Sequence, residues 1–313
     1  MSYGDPRYGR RYTRQNESRY SNGGHQLGIS LMVRMIPIVI GLLTVGFTMV
    51  RGCQQGPFGR VQIVAMKPDQ EAKLGVQAFQ EVLSDARVVT NGRAVNKVRE
   101  IADRLIKATE QESFRKRIGT PIPKFQWDLK VVDDRQVNAF CLPGGKIVVY
   151  TAILPVAETD AGLATVIGHE IAHALAHHGA ERMAQQQMVQ IGLTSASVSM
   201  GDMSPGKRQQ LLSVLNAGAK FGILGYSRKH ESEADHMGLL LMAAAGYDPK
   251  ESIRFWERMT AATGGGKAPP EFMSTHPNHT TRIRDLTRWM PEAEPLYQQS
   301  RSKSPTEVLP SFR

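Results

Sequence analysis

The sequence predicts a mainly α fold with a small β-sheet (α+β), preceded by one N-terminal transmembrane helix. Three observations lead there. Apolar residues recur at helical spacing over 68–85, 94–109, 161–183 and 228–245. Three short runs, Phe125–Val132, Val137–Leu142 and Lys146–Tyr150, have strand composition, and the last two flank the turn signal Pro143-Gly144-Gly145. From Leu27 to Val50 the chain is apolar and its only charge is Arg34.

Residues 1–26 are polar and rich in Arg, Tyr, Gly and Asn; such a stretch cannot bury a core and is expected to be disordered. Met35–Val50 is short for a bilayer span of about 20 residues. Adding Ile29–Val33 reaches that length, with Arg34 snorkelling toward the head groups. A cleaved signal peptide is the rival reading; the long preceding region and the lack of an A-x-A-like site before Gly52-Cys53 count against it. Lipoprotein cleavage at Cys53 is disfavoured by Arg51. The arginine excess before the span places the N-terminus in the cytoplasm and the C-terminal domain across the membrane, on the periplasmic side in a bacterium. The expected organisation is a disordered basic N-terminus (1–26), a single-pass anchor (27–51), one domain (60–292) and a flexible tail (293–313), with a Gly-rich joint at Gly52–Gly59.

The net charge of +10 is spread without a dominant Lys/Arg block, and no nucleic-acid-binding motif accompanies it, so nucleic acid is not an expected partner. Two cysteines, Cys53 and Cys141, exclude a disulfide framework. In Pro68–Asp85, Leu74, Ala78, Phe79 and Val82 share a helix face, as do Val98, Ile101, Ala102, Leu105 and Ile106 in Ala94–Thr109. Both read as structural helices.

The run Ala161–Met183 holds His169-Glu170-Ile171-Ala172-His173, an H-E-x-x-H pattern. Residues four apart lie one helical turn apart on one face, so His169 and His173 can present two imidazoles to one Zn²⁺. Glu170 sits off that face and can take the proton of a water in the open coordination position. Histidines on a helix are often plain polar residues, but the surrounding Leu163, Val166, Ile167 and Ile171 mark this helix as buried. It is expected to end near Gly179, with His177 and His178 as cations on its C-terminal dipole; a fourth-ligand role for His177 is the lesser alternative.

Residues 185–226 contain an uncharged run, Val189–Met200, and a turn at Pro205-Gly206; a mobile helical hairpin or plug over the cleft is expected. In Arg228–Ala245, Glu231 and Asp235 share a face. Glu231 can complete a His₂Glu site, and Asp235 can bond a ligand imidazole and fix its tautomer. Glu233 is expected in solvent. Gly264–Pro270 and Ser300–Arg313 read as loop and tail.

Four stretches, NAFCLPGGKIVVYTAIL (Asn138–Leu154), GHEIAHALAHH (Gly168–His178), ESEADHMG (Glu231–Gly238) and STHPNHTTRI (Ser274–Ile283), make the chain resemble the HtpX/BepA-like zinc metallopeptidases, the superfamily that includes the CAAX prenyl proteases. The resemblance covers residues 60–290. It implies a gluzincin-type peptidase domain with one Zn²⁺ per chain, ligands His169, His173 and Glu231, and Glu170 as base. It further places His276 near the zinc, where it would either stabilise the oxyanion or occupy the open site in a resting form, with Arg282 beside it. Both would offset charge on the tetrahedral intermediate. Asn138, Ala139, Phe140 and Cys141 would form the edge strand along which an extended substrate aligns. The extra spans of the HtpX and CAAX branches are missing, which favours the periplasmic or mitochondrial quality-control branch.

Two function classes follow. The first is a membrane-anchored zinc endopeptidase that hydrolyses misfolded or damaged proteins by Glu-assisted attack of a zinc-bound water. The second is a chaperone-like peptide-binding protein with a structural or latent zinc. An intact Glu170 favours the first, because a structural zinc needs no base. Oligomeric state is not legible.

Overall fold

The computed structural model describes residues 23–201, 203–263, 272–273, 276, 281–301 and 309–310. The basic N-terminus up to residue 22, the loop Gly264–Pro270 and most of the tail lie outside the described residues.

Helix α1 (Gly23–Gly52) starts inside the stretch expected to be disordered, and its segment Met32–Gly52 is long and apolar enough to cross a membrane. Leu42, Leu43, Phe47 and Val50 on it are exposed, as a helix facing lipid requires. The Gly-rich joint is structured. Strands β1 (Cys53–Gln55) and β2 (Val61–Ile63) pair antiparallel, Cys53 opposite Ile63. Their turn reverses through Phe58 and Gly59, both at positive φ (55° and 74°).

Helix α2 (Pro68–Ser84) opens with proline at its first position, where the missing N–H costs nothing. It lies so close to the Pro143 turn that a Cβ on Gly75 would collide with the Pro143 carbonyl. After β3 (Val88–Val89), helix α3 (Arg93–Ala108) buries the apolar stripe legible in its sequence. Helix α4 (Glu112–Ile118) stops at left-handed Gly119. Strands β4 (Asp128–Val132), β5 (Ala139–Leu142) and β6 (Lys146–Tyr150) join β3 in a four-stranded sheet of order β3-β4-β6-β5. β4 and β6 are parallel; β5 is antiparallel to β6 and forms one edge.

Helix α5 (Leu154–Ala157) leads to α6 (Asp160–Leu175), capped by the Thr159 side chain, which accepts the Gly162 N–H at 3.0 Å. All of α6 except His173 is buried. It packs chiefly on the C-terminal half of α8 (Pro205–Ala244). The backbones meet at Gly168 and Gly238, where a Cβ on Gly238 would stand 3.0 Å from His169 N and 3.1 Å from His169 Cα. That contact brings the Glu231–Asp235 face of α8 up to the His169–His173 face of α6.

The helix expected to run on to Gly179 breaks earlier. His177 is left-handed (φ 54°), its ring held by Glu71 of α2 at 2.8 Å, and α7 (His178–Ser199) starts anew beyond it. In the expected hairpin segment, α7 and the first half of α8 pack on each other, and α7 packs chiefly along α1. Helices α9 (Glu251–Thr263) and α10 (Arg282–Ser300) close the core. α10 continues past the expected start of the tail at 293 because Leu286, Ala293 and Leu296 keep a buried stripe. Farther on, the Leu309 N–H donates to Glu158 O at 2.9 Å, so this part of the tail is docked.

Candidate metal centre

Four side chains from three elements converge where α6 crosses α8. His169 and His173 project from α6, Glu231 from α8, and His276 from the segment before α10, and one donor atom of each lies within 4.8 Å of all the others. His276 is brought in by a short chain of backbone bonds. The Phe272 N–H donates to Val137 O at 3.1 Å, and the His276 N–H to Phe272 O at 2.8 Å.

The donor set suits a metal ion. His169 Nε2 lies 3.1 Å from His173 Nε2, 3.2 Å from His276 Nδ1 and 3.4 Å from Glu231 Oε2. Glu231 Oε1 is 3.3 Å from His173 Nε2 and 3.1 Å from His276 Nδ1. Tetrahedral zinc with bonds of about 2.0–2.1 Å has ligand–ligand edges of about 3.3 Å. Hydrogen bonding alone cannot satisfy the group, since one Nε2 faces two other ring nitrogens and a carboxylate, and a nitrogen carries at most one proton. His169 is buried, which disfavours its charge, yet contacts to Asp235 and Glu231 outweigh this and raise its pKa to about 10.

Asp235 Oδ1 stands 3.0 Å from His169 Nδ1, on the ring face away from the cluster, which fixes Nε2 as the inward atom. Arg282 lies behind both carboxylates. Its Nη2 donates to Glu231 Oε2 at 3.0 Å and its Nε to Asp235 Oδ2 at 2.5 Å, and its guanidinium stacks 3.8 Å over Trp256. The sequence reading set Arg282 beside His276, offsetting charge on the tetrahedral intermediate; in the structure two of its donors bond acidic side chains of α8.

Glu170 reaches from α6 to both the cluster and the edge strand β5. Its Oε2 accepts the Cys141 N–H of the edge strand β5 at 3.3 Å, and its Oε1 lies 3.3 Å from His276 Nε2. Asn138 and Ala139 are buried, Phe140 and Cys141 half-buried. Burial and the neighbouring Glu170 carboxylate push the Cys141 thiol well up, so it is no thiolate nucleophile.

A second buried cluster supports His173 and was not legible in the sequence. His178 Nδ1 lies 2.8 Å from His173 Nδ1, and its Nε2 lies 2.7 Å from Glu233 Oε2. Glu233, expected in solvent, is buried because Arg60, from the β1–β2 turn, bonds both its oxygens (3.1 and 3.0 Å) and also reaches Glu181 at 3.0 Å. Burial, with the charges of His173, His230 and Arg60, drives the His178 pKa well down. It is therefore neutral, and not the cationic helix cap that the sequence suggested. His177 bonds Glu71 and is not among the clustered donors. The signal that could have flagged this cluster is the second acid in the E-x-E spacing of Glu231 and Glu233.

The sequence model of peptidase family M48 matches residues 97–290, a span that contains all four clustered donors, Glu170, Asp235 and Arg282. The chain belongs to peptidase family M48. Among curated M48 relatives, the mitochondrial metalloendopeptidase OMA1 of Saccharomyces cerevisiae is 38% identical over 194 residues (60% of this chain, 54% of that protein). OMA1 of Arabidopsis thaliana is 34% identical over 229 residues (72% and 45%). The beta-barrel assembly-enhancing protease of Escherichia coli is 25% identical over 235 residues (74% and 46%). The chain spans about half the length of these relatives. The M48 match starts inside α3, so α1, the β1–β2 hairpin with Arg60, and α2 lie before it.

Proposed function

We propose that the chain is a membrane-anchored zinc endopeptidase that cuts misfolded or damaged proteins on the far side of the membrane from its N-terminus. The observation that carries this reading is the position of Glu170, a buried carboxylate beside a metal-type donor set and hydrogen-bonded to the edge strand where a peptide would pair. A structural zinc in a peptide-binding protein would leave that carboxylate without a task. Membership of the M48 family, with relatives named metalloendopeptidases, supports the same reading.

His169, His173 and Glu231 would hold the ion, and Asp235 and His178 orient the two imidazoles from behind. Bound zinc supplies Lewis acidity, making a water more acidic and a carbonyl more electrophilic. An extended substrate adds to the outer edge of β5, where the Cys141 N–H bonded to Glu170 lies, so its scissile bond would come beside Glu170. Glu170 takes the proton from the attacking water and passes it to the leaving amine. A cleft of about 960 Å³, lined by Glu71, Val76, Ile122, Phe125 and Gly144, would seat substrate side chains. Arg282 holds the Glu231 carboxylate in place through its Nη2 donor. His276 would supply a fourth donor through Nδ1; of its two expected roles this favours the resting form, and its withdrawal would leave room for a water. α1 anchors the chain, with the arginine-rich N-terminus in the cytoplasm.

Cleavage of casein by the full chain should be lost on treatment with a zinc chelator and return when zinc is added back. Cleavage that persists undiminished after the metal is removed would rule out the metal-dependent reading.

A further inference from the structure

The hairpin of α7 and the first half of α8 is the part of the domain that the peptidase chemistry does not use. We propose that it inserts into the bilayer beside α1, with lipid acyl chains as its partner. This rests on the reading of α1 as the membrane anchor.

Three observations carry the proposal. The first is depth. α7 starts at the metal centre and runs back along α1, and the two meet where a Cβ on Gly41 would collide with Ser195 Oγ, with Ile191 alongside. Gly41 lies eleven residues before the end of α1 at Gly52, about 16 Å along a helix that rises 1.5 Å per residue. In a hydrocarbon core about 30 Å thick, that is the midplane. A partner helix packed there cannot be in water if α1 is in lipid. The second is composition. No charged residue occurs from Met183 to Gly201, and Lys220 is the only one from Gln209 to Ser227. The basic pair Lys207 and Arg208 stands at the tip, where long side chains can reach the far head groups. The third is exposure. Val198 and Val214 are 61% and 62% exposed, and Leu211 and Leu215 are exposed as well, with none of the described residues covering them. Large apolar side chains left open on helices of low charge fit lipid better than water. Small residues at the α1–α7 contact let the backbones approach, as helices packed within membranes do.

The hairpin ties the active-site helix to the bilayer. α7 begins at His178, so movement of the hairpin in the membrane would bear directly on the side chain behind His173.

The test uses the full chain with Cys53→Ser and Cys141→Ala, reconstituted in phosphatidylcholine–phosphatidylglycerol vesicles. Single spin labels are placed at Val198 and Val214, with Leu43 on α1 and Lys116 on α4 as references; all four are exposed. Collision with oxygen, which partitions into lipid, is compared with collision with a water-soluble nickel chelate. The proposal expects labels at 198 and 214 to match position 43, with an oxygen-to-nickel ratio several-fold above that at 116. Labels at 198 and 214 that match 116 while 43 reports lipid would overturn the hairpin's insertion and leave the anchor intact. A water-like signal at 43 itself would overturn the anchor reading, and the proposal with it.

Discussion

Glu170→Gln is expected to leave zinc content unchanged and to lower kcat/KM for peptide cleavage by about 10²–10⁴-fold, the usual contribution of a positioned general base. The substitution is nearly isosteric. Its amide oxygen can still accept the Cys141 N–H that Glu170 Oε2 accepts at 3.3 Å, so β5 should stay where it is. Glu170 is not one of the four clustered donors, so the ion should bind as before. Only the proton acceptor is lost. Cleavage of a fluorogenic peptide, measured beside zinc content on the same preparation, checks both halves. A variant that cuts at the wild-type rate would remove Glu170 from the mechanism; one that loses its zinc would show that Glu170 shapes the donor set.

Arg282→Leu is expected to destabilise the zinc-free protein by about 3–5 kcal/mol, the cost of leaving buried charges without their partner. The Arg282 side chain is 0% exposed, and those of Glu231 and Asp235 are 4%. Removing the guanidinium leaves Asp235 to His169 and Glu231 to the three clustered histidines, and strips Trp256 of its stacked cation. Saturating zinc should recover part of the loss, since the ion binds the folded state and supplies positive charge at the same place. Thermal unfolding in detergent, with and without chelator, reads the difference. A variant with unchanged stability but a lowered kcat would instead support the role first read from the sequence, with Arg282 offsetting charge on the reacting carbonyl.

What the sequence disclosed, and what it hid, follows from the range of the interactions. The pairs His169/His173 and Glu231/Asp235 are four residues apart, so helical periodicity alone puts each pair on one face. That the two faces meet depends on Gly168 and Gly238, and the family resemblance implied this where the periodicity of either helix could not. His178, Glu233 and Arg60 stayed hidden because their association requires a turn at Phe58–Gly59 to carry Arg60 back to α8, where Phe58 stacks on His236 at 4.3 Å. A Gly-rich stretch reads as a joint unless the hairpin that it makes is known. The break at His177 was missed for a similar reason. A left-handed non-glycine residue is unfavourable locally, and the contact to Glu71, far back in the chain, offsets the cost.

Zinc-edge X-ray absorption on the purified full chain tests whether His169, His173 and Glu231 hold a catalytic zinc. One zinc per chain is expected, coordinated by nitrogen and oxygen at about 2.0–2.1 Å, with that signal lost in Glu231→Ala. A protein that takes up no zinc, or one whose zinc signal survives Glu231→Ala unchanged, would contradict that assignment.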